Sequence, residues 1–122
     1  MKQIVVLGAG IGGMSVAYEL RAALGKEKAA INVIGEGTKF SFTPSNPWVA
    51  VGWRKPADIQ VDAPTHLAKK AIGFEAVGAE RVVPESNQIV LRDGRTLDYD
   101  YLVITTGPRL AFDEVPGLGP SA

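Results

Sequence analysis

The chain of 122 residues contains no cysteine, and this absence excludes several kinds of chemistry. Without thiols there is no disulfide framework and no cysteine-ligated metal site, and these residues alone perform no thiol redox reaction. The only histidine, His66, has neither a cysteine nor clustered carboxylates near it in the sequence. We therefore expect no metal site, and a surface or helix-packing role for His66.

The sequence also lacks an excess of charge of either sign and any long apolar run. Thirteen basic and thirteen acidic side chains give a formal net charge of zero. No basic field exists to attract nucleic acid, and no polybasic run to attract an anionic membrane. No apolar run approaches the roughly 18 residues of a spanning helix. The apolar start fits a glycine motif better than a secretion signal, so we expect a cytoplasmic protein.

The order of apolar segments in the first third predicts an α/β fold. Residues 3–7, apolar at every position after Gln3, predict a strand buried on both faces. Helical spacing follows over residues 11–24, with Gly25 as its stop, and residues 30–34 have the pattern of a second buried strand. Strand, helix and strand within about thirty residues predict a parallel, right-handed βαβ unit.

The middle of the chain has no clean period. Residues 38–59 contain three prolines and two tryptophans, and a loop of this length inside a compact domain is usually functional. Trp48 and Trp53 supply flat apolar area for a ligand or simply pack the loop onto the domain. A helix is expected over 64–72, with Asp62 near its start, and a third parallel strand over 74–77.

The last third predicts a change of sheet type. Short strand-like pieces joined by turns, at residues 80–83, 88–91 and 96–97, predict an antiparallel meander. An apolar strand follows over 101–105. The predicted fold is α/β, a Rossmann-like, three-layer parallel sheet with an inserted antiparallel β-meander.

Residues 8–13, Gly-Ala-Gly-Ile-Gly-Gly, form a G-x-G-x-x-G motif between the first strand and the first helix. The three glycines of this motif have different physical roles. Gly8 permits the tight turn, Gly10 lets a pyrophosphate approach the backbone, and Gly13 lets the helix pack closely. This context favours a dinucleotide site. A glycine-rich turn without a ligand is the alternative.

The start of the first helix and the end of the second strand complete this site. The helix that begins with Ile11 and Gly12 offers free N–H groups and a partial positive charge to phosphates. Glu36 follows the second strand, where an acid holds a pair of ribose hydroxyls. An acid here disfavours a 2′-phosphate and hence NADP. The motif alone does not separate FAD from NAD.

Residues 99–107, YDYLVITTG, resemble the motif that closes the first FAD segment of glutathione-reductase-like flavoproteins. That motif usually ends Ala-Thr-Gly, and Thr105 replaces the alanine here, one small residue for another. The family also inserts an antiparallel meander at this point, whereas a plain NAD dehydrogenase continues with further βα units. The resemblance therefore implies FAD. An ordinary buried strand with a Gly-Pro turn is the alternative for this segment.

Two loops narrow the resemblance to the sulfide:quinone oxidoreductases. Residues 42–53, FTPSNPWVAVGW, and 107–112, GPRLAF, are similar to the corresponding stretches of that family, and the resemblance covers essentially the whole chain. The roles that it implies are Pro44 near the flavin ring, the backbone of Val83 at the adenine, and Thr106 and Gly107 near the pyrophosphate and flavin.

The resemblance implies an FAD-dependent oxidoreductase that passes electrons from sulfide through FAD to a membrane quinone. The redox-active cysteines of that chemistry have no counterpart in this stretch, so no catalytic residue is assigned and the stretch alone is expected to be inactive. We expect residues 1–110 to form the N-terminal segment of an incomplete FAD domain and 111–122 to be a linker toward a second domain. We expect any peripheral contact with a membrane to be made by parts of the protein outside these residues.

Two other interpretations stay open. One is a related flavoprotein, either a non-proton-pumping NADH:quinone dehydrogenase or a flavocytochrome-type sulfide dehydrogenase. Downstream cysteines and a second glycine motif suited to NADH distinguish these from the first interpretation. The other is a non-catalytic nucleotide-binding module that functions at this length.

Overall fold

A computed structural model describes residues 1–120, which form nine strands and three α-helices. The strands are β1 (Lys2–Leu7), β2 (Ala29–Ile34), β3 (Lys39–Ser41), β4 (Gln60–Asp62), β5 (Ile72–Glu75), β6 (Ala79–Val83), β7 (Gln88–Leu91), β8 (Thr96–Asp98) and β9 (Tyr101–Ile104). The helices are α1 (Ile11–Lys28), α2 (Asn46–Ala50) and α3 (Ala63–Ala68). None of these helices combines the length and apolar character that crossing a bilayer requires.

Four parallel strands form the central sheet in the order β5-β2-β1-β9. The first strand lies inside the sheet, paired with β2 over residues 2–7 and with β9 over residues 4–7. The predicted parallel sheet and βαβ unit are confirmed. Because the strands are parallel, the carboxyl ends of β1, β2 and β9 meet at one edge, where open α/β sheets bind their ligands.

Two apolar clusters cover the two faces of this sheet and give the fold three layers. Ile4 and Val6 of β1 pack against α1 and α3. Val5, between them in the strand, packs on the opposite face with Ile89 and Leu91 of β7, both 0% exposed. The meander β6-β7-β8 therefore forms the third layer, in the place of a second set of helices. The Rossmann-like α/β fold with an inserted meander is confirmed.

The loop predicted over residues 38–59 contains regular structure that its sequence does not reveal. Its start, β3, pairs antiparallel with β4, and α2 lies between them. A three-residue ribbon is too short to show an alternating pattern, so periodicity does not predict it. The tryptophans stack on each other, with ring centroids 5.1 Å apart, and Trp53 is 73% exposed.

The helix after this loop is shorter than predicted. Asp62 caps it as expected, because its carboxylate accepts a hydrogen bond from the Thr65 N–H at 3.2 Å. The helix α3 ends at Ala68, and Ala71 adopts a left-handed conformation (φ 54°) that turns the chain into the sheet. The third parallel strand consequently starts at Ile72, so the predicted boundary of this strand at residue 74 is wrong.

Residues 111–120 are almost entirely exposed and include a short 3-10 turn at Phe112–Glu114. They are the described part of the segment predicted as a linker. The last two residues of that segment, 121–122, lie outside the described residues.

Arg21 is a buried cation in α1 that joins three segments. Helical geometry breaks at Gly25 (φ 68°), as predicted, and Arg21 fills the space beside this break. Its guanidinium donates hydrogen bonds to the carbonyl oxygens of Gly25 at 2.6 Å, Ala29 at 2.8 Å and Ala71 at 2.8 Å. Arg21 is 8% exposed, and its hydrogen bond to Ala29 is buried, whereas those to Gly25 and Ala71 are partly buried.

We expect Arg21→Met to lower the free energy of unfolding by about 1–3 kcal/mol, because it removes three hydrogen bonds and leaves the buried Ala29 carbonyl without this donor. Urea unfolding followed by tryptophan fluorescence measures the change. Lys26→Met, at an exposed position of the same helix, is the matched control and is expected to change stability by less than about 0.5 kcal/mol. Equal, small losses in both variants would contradict the role of Arg21.

Asp100 fastens the start of β9 to the start of β1. Its carboxylate accepts a hydrogen bond from the Gln3 N–H at 2.6 Å, and its own N–H donates to the Gln3 carbonyl oxygen at 2.8 Å. The bond from Gln3, and secondarily the charge of Lys2, lower the pKa of Asp100 below its ordinary value of 3.8. The folded state therefore favours the charged carboxylate.

A lowered pKa in the folded state makes the stabilising contribution of Asp100 complete above its ordinary pKa. The contribution is lost as the pH falls through the lowered pKa. We expect Asp100→Asn to flatten the loss of stability between about pH 5 and pH 2, as measured by thermal midpoints. Asp113→Asn, in the exposed tail, should keep the wild-type slope. If Asp100→Asn also keeps that slope, the linkage is wrong.

Candidate functional site

A cleft of about 490 Å³ opens at the carboxyl edge of the parallel sheet. Four segments line it: residues 7–9 after β1, residues 34–36 after β2, residues 78–82 at the start of the meander, and Thr106 after β9. The central sheet and the inserted meander thus each contribute a wall.

Close packing of the glycine loop against the end of β9 forms the inner end of this cleft. A Cβ on Gly8 would lie 2.4 Å from the Thr105 carbonyl oxygen, and one on Gly13 would lie 1.8 Å from the Gly8 carbonyl oxygen. The Thr105 hydroxyl lies 3.1 Å from the Leu7 carbonyl oxygen and 3.2 Å from that of Gly8, and donates to this pair. Glycine is therefore required at positions 8 and 13 by packing within the protein itself.

Gly10 is under a different constraint, because a Cβ at this position meets nothing within 4 Å. The N–H of Met14 donates to the Gly10 carbonyl oxygen at 2.9 Å, so the N–H groups of residues 11–13 precede the first bond of α1. This helix end has no side-chain cap and no acidic residue in its first turn. An open backbone with free N–H groups at a helix start fits a pyrophosphate.

Glu36 lines the cleft where the chain leaves β2. Its Oε1 lies 2.5 Å from Nη2 of Arg92, and its side chain is 67% exposed. The backbone on either side is fixed, since Gly35 donates to the Glu75 carbonyl oxygen at 2.8 Å and Gly37 to that of Ala76 at 2.7 Å. The carboxylate is therefore held at the cleft by both its backbone and its partner.

The structure gathers most of the residues that the sequence singles out. Gly8, Glu36 and Thr106 line the cleft itself. The next four candidates are not among the lining residues but follow the lining residue Ala9 as the N-cap and first turn of α1: Gly10, Ile11, Gly12 and Gly13. Their contacts with a cofactor remain predictions, but their placement is what a dinucleotide site requires.

Three further candidates lie at or beyond the limits of the cleft. Val83 ends β6 next to the lining residue Val82, and Gly107 (φ 71°) follows Thr106. Pro44 is exposed in the 3-10 turn Thr43–Ser45 and is not among the residues that line the cleft. Its role beside a flavin therefore rests on the family resemblance alone.

Sequence reasoning missed several residues that shape the site. Thr105 was interpreted as one small residue in place of another, yet its hydroxyl bonds the end of β1. A Cβ on Gly35 would lie 2.8 Å from the Ala9 Cβ, so this glycine is also required, and the Gly-Glu-Gly run after a strand was a visible signal for it. Arg92 had no local signal, because its partner belongs to a distant segment.

No group of three or more histidine, cysteine, aspartate or glutamate side chains that could hold a metal ion occurs within residues 1–120. His66 is exposed on α3. The charged residues that line the cleft are Glu36, Glu80 and Arg81.

We expect an added methyl group to act differently at Gly13, where the protein fills the space, and at Gly10, where the space is open. Gly13→Ala is expected to disturb the loop and lower stability by more than about 2 kcal/mol, because the carbonyl of Gly8 occupies the space. Gly10→Ala should leave the fold intact and weaken dinucleotide binding at least about tenfold, since the methyl lies where a pyrophosphate approaches. Thermal unfolding and flavin-fluorescence titration measure the two effects. Weakened stability in Gly10→Ala with unchanged binding would contradict this assignment.

Known proteins are similar to this chain in both sequence and fold. The profile of the family described as "pyridine nucleotide-disulphide oxidoreductase" matches residues 2–121. The sulfide-quinone reductase of Aquifex aeolicus (strain VF5) is 42% identical over 111 residues, which cover 91% of this chain and 25% of that protein. The mitochondrial sulfide:quinone oxidoreductase of Dictyostelium discoideum is 34% identical over 116 residues, 95% of this chain and 25% of that protein.

A solved structure agrees with these relatives. The X-ray structure of the sulfide:quinone oxidoreductase from Aquifex aeolicus superposes with a TM-score of 0.86 at 41% identity, covering 92% of this chain and 26% of that one. The chain spans about a quarter of the length of the curated relatives that it matches.

Proposed function

The chain belongs to the pyridine nucleotide-disulphide oxidoreductase family, and we propose that it is the N-terminal FAD-binding part of a sulfide:quinone oxidoreductase. The observation that carries this proposal is the likeness to the Aquifex enzyme, which extends over sequence and backbone and over nine-tenths of the chain. The family consists of FAD-dependent oxidoreductases. The glycine loop and the cleft of this chain fit such a dinucleotide.

The residues of this chain bind and orient the cofactor. The N–H groups at the start of α1 hold the pyrophosphate, and Glu36 accepts hydrogen bonds from the adenosine ribose. The backbone at Val83 faces the adenine, Thr106 and Gly107 lie at the pyrophosphate and flavin, and Pro44 lies toward the flavin ring. The bound flavin supplies the electron-transfer chemistry.

The partners of the whole protein follow from the same proposal. Sulfide is the electron donor and a membrane quinone the acceptor, with contact to the membrane made by parts outside these residues. A cytoplasmic location is proposed for the domain described here. The formal net charge of the chain is zero, so it has no basic surface field that would attract nucleic acid.

We expect sulfide, and not NADH, to reduce the flavin of the protein purified from its full native reading frame. Anaerobic titration with each donor, followed by the yellow absorbance band, measures this, and added quinone should restore the band after sulfide. Free FAD treated with sulfide under the same conditions is the control for direct reduction.

Other results of these titrations would point to a different class of flavoprotein or to a protein without a flavin. Bleaching by NADH with no effect of sulfide would make it an NADH-dependent flavoenzyme on the same scaffold. Bleaching by sulfide with no reoxidation by quinone would favour a flavocytochrome-type sulfide dehydrogenase. A protein that does not bind FAD would overturn the cofactor assignment and favour a non-catalytic nucleotide-binding module.

A further inference from the structure

The turn between β7 and β8 carries two arginines that pair with carboxylates at the ends of parallel strands. Nη2 of Arg92 lies 2.5 Å from Oε1 of Glu36, which follows β2. Arg95 donates to both carboxylate oxygens of Glu75, at 2.6 and 3.2 Å, at the end of β5. Glu36 lines the cleft, whereas Glu75 does not. One hairpin thus makes two arginine–glutamate ion pairs, of which one is at the site.

The backbone of Arg92 is connected to the backbone of the cleft by a short series of hydrogen bonds. The N–H of Arg92 donates to the Gly78 carbonyl oxygen at 3.1 Å, and the N–H of Gly78 donates to the Gly35 carbonyl oxygen at 3.0 Å. The meander is therefore held in register with the residue that precedes Glu36. The backbone of Arg92 is therefore fixed relative to the backbone that precedes Glu36.

Gly78 leaves room for the pair. A Cβ on Gly78 would lie 3.2 Å from Cγ of Glu36 and 3.5 Å from Cδ of Arg92, so the stems of both side chains cross over this glycine. Both side chains are more than half exposed, so the pair contributes little to stability. The ion pair between Arg92 and Glu36 lies at the cleft, where it bears on ligand binding rather than on stability.

We propose that Arg92 is a positioning residue that orients the carboxylate of Glu36 toward the ribose of an adenine dinucleotide. This rests on the proposed function, in which Glu36 receives the ribose hydroxyls. An exposed glutamate otherwise samples many rotamers, and fixing it beforehand removes that entropy cost from binding. The contact of Arg92 with the carboxylate is through Oε1. A carboxylate has several acceptor sites, so the same group would also accept from a ribose hydroxyl.

The Arg92–Glu36 ion pair also determines the charge beside a ribose that carries a 2′-phosphate. While Glu36 neutralises Arg92, a 2′-phosphate meets a carboxylate and is disfavoured. Replacement of Glu36 by glutamine leaves the guanidinium without its anion, and arginine binds phosphate well. The same two residues therefore determine both the preference for a ribose hydroxyl and the rejection of a phosphate.

The test uses the full-length protein freed of its flavin. Three probes are titrated by flavin fluorescence: FAD, its 2′-deoxyadenosine analogue, and FAD phosphorylated at the adenosine 2′-hydroxyl. We expect the wild type to prefer FAD over the deoxy analogue at least about tenfold, as for a hydrogen bond to a charged group. Arg92→Gln and Glu36→Gln should each lower this ratio to about threefold or less.

Controls separate positioning from general support of the fold. Arg95→Gln removes the neighbouring ion pair of the same hairpin and should keep the wild-type ratio. Arg92→Lys retains the positive charge and should keep most of the wild-type preference for FAD over the deoxy analogue. Glu36→Gln should bind the phosphorylated probe at least about fivefold more tightly than the wild type does, and adding Arg92→Gln should abolish that gain.

The outcomes distinguish this inference from the function on which it rests. If neither the wild type nor Glu36→Gln distinguishes FAD from the deoxy analogue, the ribose role of Glu36 fails. If Glu36→Gln loses the preference and Arg92→Gln keeps it, Arg92 has no positioning role and the proposed function stands. Should Arg92→Gln not fold, Glu36→Gln still tests the idea, because absence of any gain for the phosphorylated probe overturns it.

Discussion

The enclosure of the Gly8 carbonyl oxygen between the backbone of Gly13 and the hydroxyl of Thr105 is the constraint on which the site depends. It holds the first turn of α1 against the ends of β1 and β9, and it allows no side chain at either glycine. With this close packing, the free N–H groups at the start of α1 lie at the edge of the sheet. The charge that a pyrophosphate meets is therefore set by packing within the protein before the ligand arrives.

The meander contributes to both the core and the site. Its apolar residues, with Ile89 and Leu91 fully buried, cover a sheet face that a second helical layer would otherwise cover. Its first strand forms a wall of the cleft, and its second turn supplies Arg92. A substitution that loosens the meander on the sheet would therefore also displace groups at the cleft, so stability and cofactor binding are coupled in this region.

Local signals in the sequence were sufficient for the scaffold. A buried strand, a glycine turn and a helix each depend on neighbouring residues, and the predicted elements from residue 3 to residue 34 agree with the structure. What depends on distant residues was not predictable: the three carbonyls bound by Arg21, the β3–β4 ribbon, and the hydroxyl of Thr105 above Leu7. In each case the interacting groups lie in separate segments, and no periodicity encodes their meeting.

The same division explains why the glycine motif alone could not tell one dinucleotide from another. The motif provides N–H groups for a pyrophosphate, and FAD and NAD contain the same group. FAD and NAD also share the adenine and its ribose, so discrimination between them requires groups that touch the flavin or the nicotinamide half. A carboxylate at the ribose separates both from NADP. In this chain the residues that line the cleft come from the ends of β1 and β2, the meander and the segment after β9, which only the fold brings together. The glycine motif is thus a local feature of the sequence, whereas the cleft beside it is a tertiary one.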